Sequence, residues 1–200
     1  MRKNKSLGNK IFIIAVILLI LVFGAIIGIK GYEEIRLQYL RDAHPIKYTE
    51  FVEKYSEQYG LDKYVIYSVI KTESGFNPKA VSSVGARGLM QIMEETFDWI
   101  KYRLGDGDEI TYEDMFDPET NIRYGVYLYD YLFEYFGSRD LASAAYNSGI
   151  GTVSEWLSDP EYSEDGETLI KIPSKTAQHY VNKINNAYNS YLELYCSERK

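Results

Sequence analysis

Glu73 is the residue of this sequence best placed for acid–base chemistry. It follows Val69 by four positions and Ile70 by three, so a helix would carry all three side chains on one apolar face. A carboxylate in apolar surroundings loses solvation, which favours its neutral form and raises its pKa. A general acid near neutral pH needs such a raised pKa. Helical phase alone leaves a second interpretation open, a solvated Glu at a frayed helix end.

Other catalytic chemistries find little support in the residues present. His44 and His179 have no partner at metal-ligand spacing, and the chain has one cysteine, Cys196. A zinc site or a Cys–His peptidase is therefore not expected. Glycoside hydrolysis ordinarily uses two carboxyl groups, but no second acid forms a recognisable constellation with Glu73. We expect no metal and no organic cofactor.

Hydrophobic periodicity and capping signals predict an all-α arrangement around Glu73. Asp62 can cap the helix that ends at Ser74, and Asp117 followed by Pro118 is a strong helix start. The remaining predicted segments are a helix over 46–59, a loop over 75–88, a helix over 89–104, a helix running to 137, short helices over 141–147 and 153–157, an acidic loop over 158–171, and a last helix over 174–197.

The N-terminal segment has the composition of a membrane anchor. Residues 11–29 are uncharged and apolar, and at about 1.5 Å per residue they would span roughly 28 Å. Four basic residues precede them, so the positive-inside rule keeps the N-terminus cytoplasmic. We predict a cytoplasmic tail (1–10), a transmembrane signal-anchor in the lipid bilayer (11–29), a stalk (30–45) and an extracytoplasmic domain (46–197). A cleaved signal peptide and a buried core helix are the alternatives.

Charge excludes one class of partner for the exported part. The chain has 22 Lys and Arg, of which five precede residue 31, leaving 17 against all 29 Asp and Glu and a net charge of −12. A nucleic-acid binder normally carries a clustered basic footprint, so none is expected here. The 20 tyrosines suit a saccharide groove, because flat amphipathic rings can stack on sugars and donate an O–H.

An ordered set of short motifs runs through residues 46–195. They are Glu73-Ser74-Gly75-Phe76-Asn77-Pro78, Ala80-Val81-Ser82, Gly85-Ala86-Arg87-Gly88-Leu89-Met90-Gln91, Asp117-Pro118-Glu119 with Asn121-Ile122, Gly125 with Tyr127-Leu128, Ala144-Ala145-Tyr146-Asn147-Ser148-Gly149, Val153 with Trp156, and Ile172-Pro173 with Tyr180-Val181. In this order they resemble the lytic transglycosylase domain of the soluble lytic transglycosylase type, a relative of goose-type lysozyme. The resemblance implies a lysozyme-like all-α catalytic domain, here behind one transmembrane helix.

The resemblance also implies roles for particular residues. Glu73 matches the family's single catalytic acid/base, and Ser74 matches a serine that helps orient it. The residues matched to the sugar cleft are Met90, Gln91, Tyr146, Asn147 and Tyr180. Two alternatives stay open: Met90 as a core residue, and Asn147 as a helix C-cap. Thr176 and Ala177 stand where the family usually has Glu-Thr, a departure that weakens the Tyr180 assignment.

By resemblance, the chain is expected to cleave peptidoglycan strands at the β-1,4 bond between N-acetylmuramic acid and N-acetylglucosamine. The product would carry a 1,6-anhydromuramoyl end, and the enzyme would be a non-hydrolytic lyase at the cell membrane. Two other functions remain open, a lysozyme-type hydrolase of the same bond and a catalytically idle scaffold that binds glycan or envelope partners.

Overall fold

The computed structural model describes residues 3–196, with side chains from residue 12 onwards. Arg2 of the predicted tail and Ser197, the predicted last residue of the domain, lie outside the described residues. The chain divides into two compact units, Met1–Pro45 and Ile46–Lys200. The first contains helix α1, Lys3–Ala43, which is unbroken through the predicted anchor and ends two residues before the end of the predicted stalk. Its part from Phe12 to Ala43 is long and apolar enough to cross a membrane.

The second unit is built from seven α-helices and one 3₁₀ helix over its described residues. The α-helices are α2 Thr49–Tyr59, α3 Lys63–Ser74, α4 Glu94–Leu104, α5 Pro118–Phe136, α6 Arg139–Ser148, α7 Ile150–Ser158 and α8 Lys175–Tyr195, and the 3₁₀ helix is Tyr112–Phe116. Within residues 3–196 there is no strand, and extended pairing is limited to two isolated bridges, Val81 with Arg87 and Arg87 with Ile92. The predicted all-α class is confirmed.

Helix α3 lies at the centre of the second unit. It packs against α8 and α2, while α5 packs against α2, α4 and α6. Its residues from Tyr64 to Ile70 are buried without interruption, so this helix is covered all round rather than along one stripe. The polar end of α3, with Glu73 and Ser74, emerges where this cover stops.

The predicted helix starts are confirmed by their caps. Asp62 Oδ1 accepts a 2.9 Å hydrogen bond from the Tyr64 N–H at the start of α3. Asp117 Oδ1 accepts one of 2.9 Å from Thr120, with Pro118 in the first turn of α5. These side chains satisfy backbone N–H groups that have no partner within a helix.

Two local predictions differ from the structure. The predicted helix over 89–104 begins only at Glu94, and the 3₁₀ helix was not predicted. Gly88 and Gln91 have φ of 79° and 51°, in the left-handed region that an α-helix cannot include. The apolar residues Leu89 and Met90 mimic a helical pattern because both are fully buried, but in an irregular segment.

Candidate active site

Glu73 lies in the last turn of α3 and is half-buried. Its carboxyl group accepts a hydrogen bond from a side chain of α8. The Tyr180 hydroxyl donates a 2.6 Å hydrogen bond to Glu73 Oε1. Burial raises the pKa of Glu73 to about 7, and the Tyr180 hydrogen bond opposes part of that rise. The upward direction agrees with the prediction from helical phase. A carboxyl group poised near pH 7 can both give and take a proton.

Tyr180 is buried and remains a donor over the ordinary pH range. Burial raises its pKa well above the usual value, and the nearby Glu73 charge raises it further. The unusual pair before it does not disturb this arrangement. Thr176 is exposed, whereas Ala177 is buried and gives its N–H to the cap residue Ser174. Helix α8 packs on α3, and Tyr180 and Glu73 meet across that contact.

Ser74 contacts the neighbouring loop rather than the Glu73 carboxyl group. Its hydroxyl oxygen lies 2.7 Å from the Leu89 carbonyl oxygen and 3.1 Å from that of Ile70, and both are acceptors. The bond to Leu89 joins the end of α3 to the irregular segment 88–91. Ser74, the residue after Glu73, is therefore tied to this segment.

The segment 88–91 is held from a second side by Tyr146. The Tyr146 hydroxyl donates a 2.7 Å hydrogen bond to the Met90 carbonyl oxygen. The Met90 side chain is fully buried, and a Cβ atom added at Gly125 would collide with it. Of the two interpretations of Met90, the structure favours the core residue over the substrate contact, because the α5 glycine leaves room for its side chain in the core.

Gln91 uses its amide group to shape the loop on which it stands. Its Nε2 donates to the carbonyl oxygens of Gly88 at 2.9 Å and Ala80 at 3.2 Å. These bonds accompany the left-handed backbone at Gln91, which is uncommon for a residue with a side chain. With both amide hydrogens engaged, Oε1 is the atom that can accept a hydrogen bond from a sugar hydroxyl or N-acetyl N–H.

Asn121 is a positioning residue to which sequence reasoning assigned no role. Only 1% of it is exposed, and its amide meets three backbone groups. Oδ1 accepts from the Met90 N–H at 2.7 Å, and Nδ2 donates to the carbonyl oxygens of Met115 at 2.9 Å and Arg87 at 3.0 Å. A Cβ at Gly88 would collide with this amide. The sequence signal for this role is a polar Asn next to Ile122, an apolar residue that is buried in the core.

Tyr146 and Asn147, adjacent on α6, have different surroundings. Tyr146 is half-buried, and burial together with the Glu73 charge raises its pKa well above the usual value, so its hydroxyl shares the Glu73 environment. Asn147 is exposed, beside Ser148 at the end of the helix. The structure therefore groups Glu73, Ser74, Tyr146 and Tyr180 around the segment 88–91, with Asn147 at the solvent side.

Comparison with known proteins places this arrangement in a family. The family model "Transglycosylase SLT domain" matches residues 50–170. The soluble lytic murein transglycosylase of Escherichia coli K12 is 30% identical over 163 residues, which are 80% of this chain and 25% of that protein. The membrane-bound lytic murein transglycosylase C of Serratia proteamaculans is 34% identical over 171 residues, covering 75% of this chain and 48% of that protein.

A solved structure gives the same result for the fold. The crystal structure of the 70 kDa soluble lytic transglycosylase from Escherichia coli superposes with a TM-score of 0.69 at 28% identity, covering 77% of this chain and 25% of that one. The same enzyme has been solved in complex with bulgecin A. The chain spans a quarter to about half of the length of the relatives it matches. It belongs to the SLT transglycosylase domain family, with the lysozyme-like fold of that family.

Proposed function

We propose that the chain is a peptidoglycan lytic transglycosylase with Glu73 as its single acid/base. The observation that carries the proposal is the half-buried Glu73 carboxyl group, with a pKa of about 7 and a 2.6 Å hydrogen bond from Tyr180. The relatives named above are lytic murein transglycosylases, and murein is peptidoglycan. The substrate bond is the β-1,4 link between N-acetylmuramic acid and N-acetylglucosamine.

The reaction needs one proton donor that becomes a proton acceptor. Protonated Glu73 gives its proton to the glycosidic oxygen, the C1–O bond of the muramic residue breaks, and positive charge develops at C1. The C6 hydroxyl of the same sugar then attacks C1 and returns its proton to the Glu73 carboxylate. A C6–O–C1 bond replaces the glycosidic bond, and no water is consumed. Because nucleophile and electrophile belong to one sugar, much of the entropic barrier is removed.

Tyr180 suits both halves of this cycle. Its hydroxyl donates to the carboxylate that forms after the first proton transfer, which stabilises that charge without neutralising it. Two-carboxylate hydrolysis needs a second acid paired with the first. The sequence offers no second acid in a recognisable constellation with Glu73, so the one-residue cycle is favoured.

The test uses the full chain in detergent micelles with purified peptidoglycan sacculi. Mass spectrometry of the released fragments should find 1,6-anhydromuramoyl ends, one water lighter than reducing ends. The Glu73→Gln variant should release none while still unfolding in one cooperative thermal transition. Reducing ends from the wild type would indicate a lysozyme-type hydrolase, and sacculus binding without release would indicate an idle glycan-binding scaffold. Release by Glu73→Gln would contradict the site assignment.

We also propose that residues 11–29 anchor the enzyme in the cell membrane with the catalytic domain outside. Helix α1 is long and apolar enough to span a bilayer from Phe12 onwards, and the described side chains of its apolar stretch are exposed. The basic residues before the apolar run favour a cytoplasmic N-terminus. A membrane-bound relative among the matches is consistent with this placement.

A further inference from the structure

A cavity of about 300 Å³ lies at the end of α3 opposite to Glu73, where the turn between α2 and α3 meets α5, α6 and α8. Its volume is at the lower end of the range for small-molecule sites. The residues that line it are Gly60, Leu61, Asp62, Val65, Tyr129, Phe133, Arg139 and Tyr188. The reaction proposed for Glu73 uses none of them, so the cavity requires a separate explanation.

Arg139 brings a positive charge to the cavity that the described residues do not neutralise. Its guanidinium group lies on the ring of Tyr188, with the central carbon 4.1 Å from the ring centroid. Nε of Arg139 is buried and has no hydrogen-bond partner among the described residues. Stacking restrains the group but satisfies none of its N–H donors, which is unusual for a partly buried arginine.

Asp62 is the other charged residue of the lining, and its carboxylate is engaged elsewhere. Oδ1 accepts a 2.9 Å hydrogen bond from the Tyr64 N–H, and Oδ2 accepts one of 2.7 Å from the Tyr188 hydroxyl. The second bond also fixes the ring on which the Arg139 guanidinium lies. The cavity therefore presents a restrained cation together with a carboxylate that already has two donors.

The remaining side chains limit the ligand to one with an apolar body. They are the side chains of Leu61, Val65 and Phe133 and the ring of Tyr129. The Tyr129 hydroxyl is shared with the Ser143 hydroxyl at 2.9 Å. A sugar or a phosphate group would leave several polar atoms without partners in these surroundings. At roughly 30 Å³ per atom, as for a molecule of liquid water, the cavity holds about ten non-hydrogen atoms.

We propose that this cavity is a binding site for a small monocarboxylate with an aromatic or branched aliphatic body, and that Arg139 binds its carboxylate group. A guanidinium group and a carboxylate match in charge and can form two parallel hydrogen bonds. Because Tyr188 holds the guanidinium group before a ligand arrives, little conformational freedom is lost on binding. The site is separate from the proposed glycan cleavage and does not depend on it.

The first test measures binding of 4-fluorophenylacetate, a monocarboxylate of matching size, to the full chain in detergent micelles by fluorine NMR. Micelles without protein are the blank. The wild type should broaden the fluorine signal in a saturable way, with a Kd on the order of 1 mM. The neutral 4-fluorophenylacetamide should bind at least about fivefold more weakly, because it lacks the charge that Arg139 would pair with. Equal affinities, or no saturation, would overturn the proposal.

The second test asks whether Arg139 holds the carboxylate. Arg139→Gln removes the positive charge of the cavity, and Lys183→Gln removes one from an exposed residue of α8 outside the lining. The Kd for 4-fluorophenylacetate should rise at least about fivefold in Arg139→Gln and stay unchanged in Lys183→Gln. An equal rise in both variants, or a rise in neither, would contradict the assignment of Arg139.

The third test separates this cavity from the candidate active site. A carboxylate bound beside Glu73 would respond to the loss of the Glu73 carboxyl group. One bound by Arg139 at the opposite end of α3 should have the same Kd in Glu73→Gln as in the wild type. A Kd that changes in Glu73→Gln would place 4-fluorophenylacetate in the active site and overturn the proposal.

Discussion

The Tyr180 hydroxyl donates a 2.6 Å hydrogen bond to Glu73 Oε1 across 107 positions of sequence. The bond joins α3 to α8, the two helices whose packing forms the centre of the domain. A carboxyl group with a pKa of about 7 and a tyrosine that stays protonated make an asymmetric pair, in which only Glu73 changes charge near neutral pH. This asymmetry gives the pair a measurable pH signature.

Tyr180→Phe should move the basic limb of the pH profile to higher pH. Glu73 must start protonated, so kcat/KM of the wild type should fall as pH rises through about 7. The lost hydrogen bond lowered the Glu73 pKa, so its removal should raise that pKa and move the midpoint of this fall to higher pH, and kcat should fall about tenfold. Steady-state rates of anhydro-product release from pH 5 to 9 measure both changes.

A tyrosine on the same helix is the control for this measurement. Tyr188 donates a 2.7 Å hydrogen bond to Asp62 Oδ2 at the opposite end of α3. Tyr188→Phe also loses a hydrogen bond from α8 to α3, but the bond is at the other end of α3 from Glu73. The pH profile of kcat/KM in this variant should therefore keep the wild-type midpoint. A lower rate with an unmoved midpoint in Tyr180→Phe would mean that Tyr180 acts only on packing.

Glu73→Gln should stabilise the folded domain at pH 8 and have little effect at pH 4. The folded pKa of about 7 lies above the ordinary glutamate value of 4.5, so between these values the folded state binds more protons than the unfolded state. The contribution of wild-type Glu73 to the free energy of unfolding is therefore largest below pH 4.5. It falls as the pH rises from 4.5 to 7, and above pH 7 it is lost. The shift corresponds to about 3 kcal/mol at most. Chemical denaturation at both pH values measures it, and equal effects would contradict the buried carboxyl group.

Much of the fold could be predicted from sequence because its signals are local. The caps Asp62 and Asp117 and the helical phase of Glu73 depend on neighbours within one or two turns. The segment 88–93 could not be predicted in this way. Leu89 and Met90 have the spacing of a helix, but their carbonyl oxygens bond to Ser74 and Tyr146, which are distant in sequence. The conformation of such a segment depends on hydrogen-bond partners that are distant in sequence. Single-residue propensities carry no information about these partners.

The residues of the candidate site likewise differ in how far the sequence could identify them. The resemblance identified Glu73, Tyr146 and Tyr180, whose roles remain proposals. For Met90, complete burial of the side chain favours the core alternative, which a sequence motif alone cannot distinguish from a cleft contact. Asn121 received no role because its three partners come from residues 87, 90 and 115, which are adjacent only in the folded chain.

Asn121→Leu should lower both stability and turnover. It keeps the branched shape and the number of heavy atoms of the side chain but leaves the Met90 N–H and the carbonyl oxygens of Arg87 and Met115 without their buried partner. Unsatisfied buried groups cost about 1–3 kcal/mol each, so we expect a loss of about 3 kcal/mol or more. Thermal unfolding and kcat measure the effect. In the control Asn77→Ala, only an exposed turn bond to the Lys79 N–H is lost, and the cost should stay below about 1 kcal/mol.

Anchoring by α1 predicts a defined topology in cells. A cysteine introduced at residue 4 should be labelled by a membrane-impermeant maleimide only after cell lysis. One introduced for exposed Tyr102 should be labelled in intact spheroplasts, in a Cys196→Ser background. The protein should stay in the membrane fraction at its full length under alkaline carbonate. Release of a shortened chain would show a cleaved signal peptide instead.

Binding of the domain to sacculi should depend little on salt. Residues 31–200 carry a net charge of −12, so long-range forces cannot draw the domain to anionic wall polymers. Raising NaCl from about 0.05 to 0.5 M weakens the repulsion between the acidic domain and anionic wall polymers, since the Debye length is already about 10 Å at 0.1 M. Pull-down of the full-length Glu73→Gln variant in detergent should therefore show an affinity that is constant or rises slightly. A steep fall with salt would mean that a local basic surface binds the polymer. In that case contacts with neutral sugar rings would not carry the affinity.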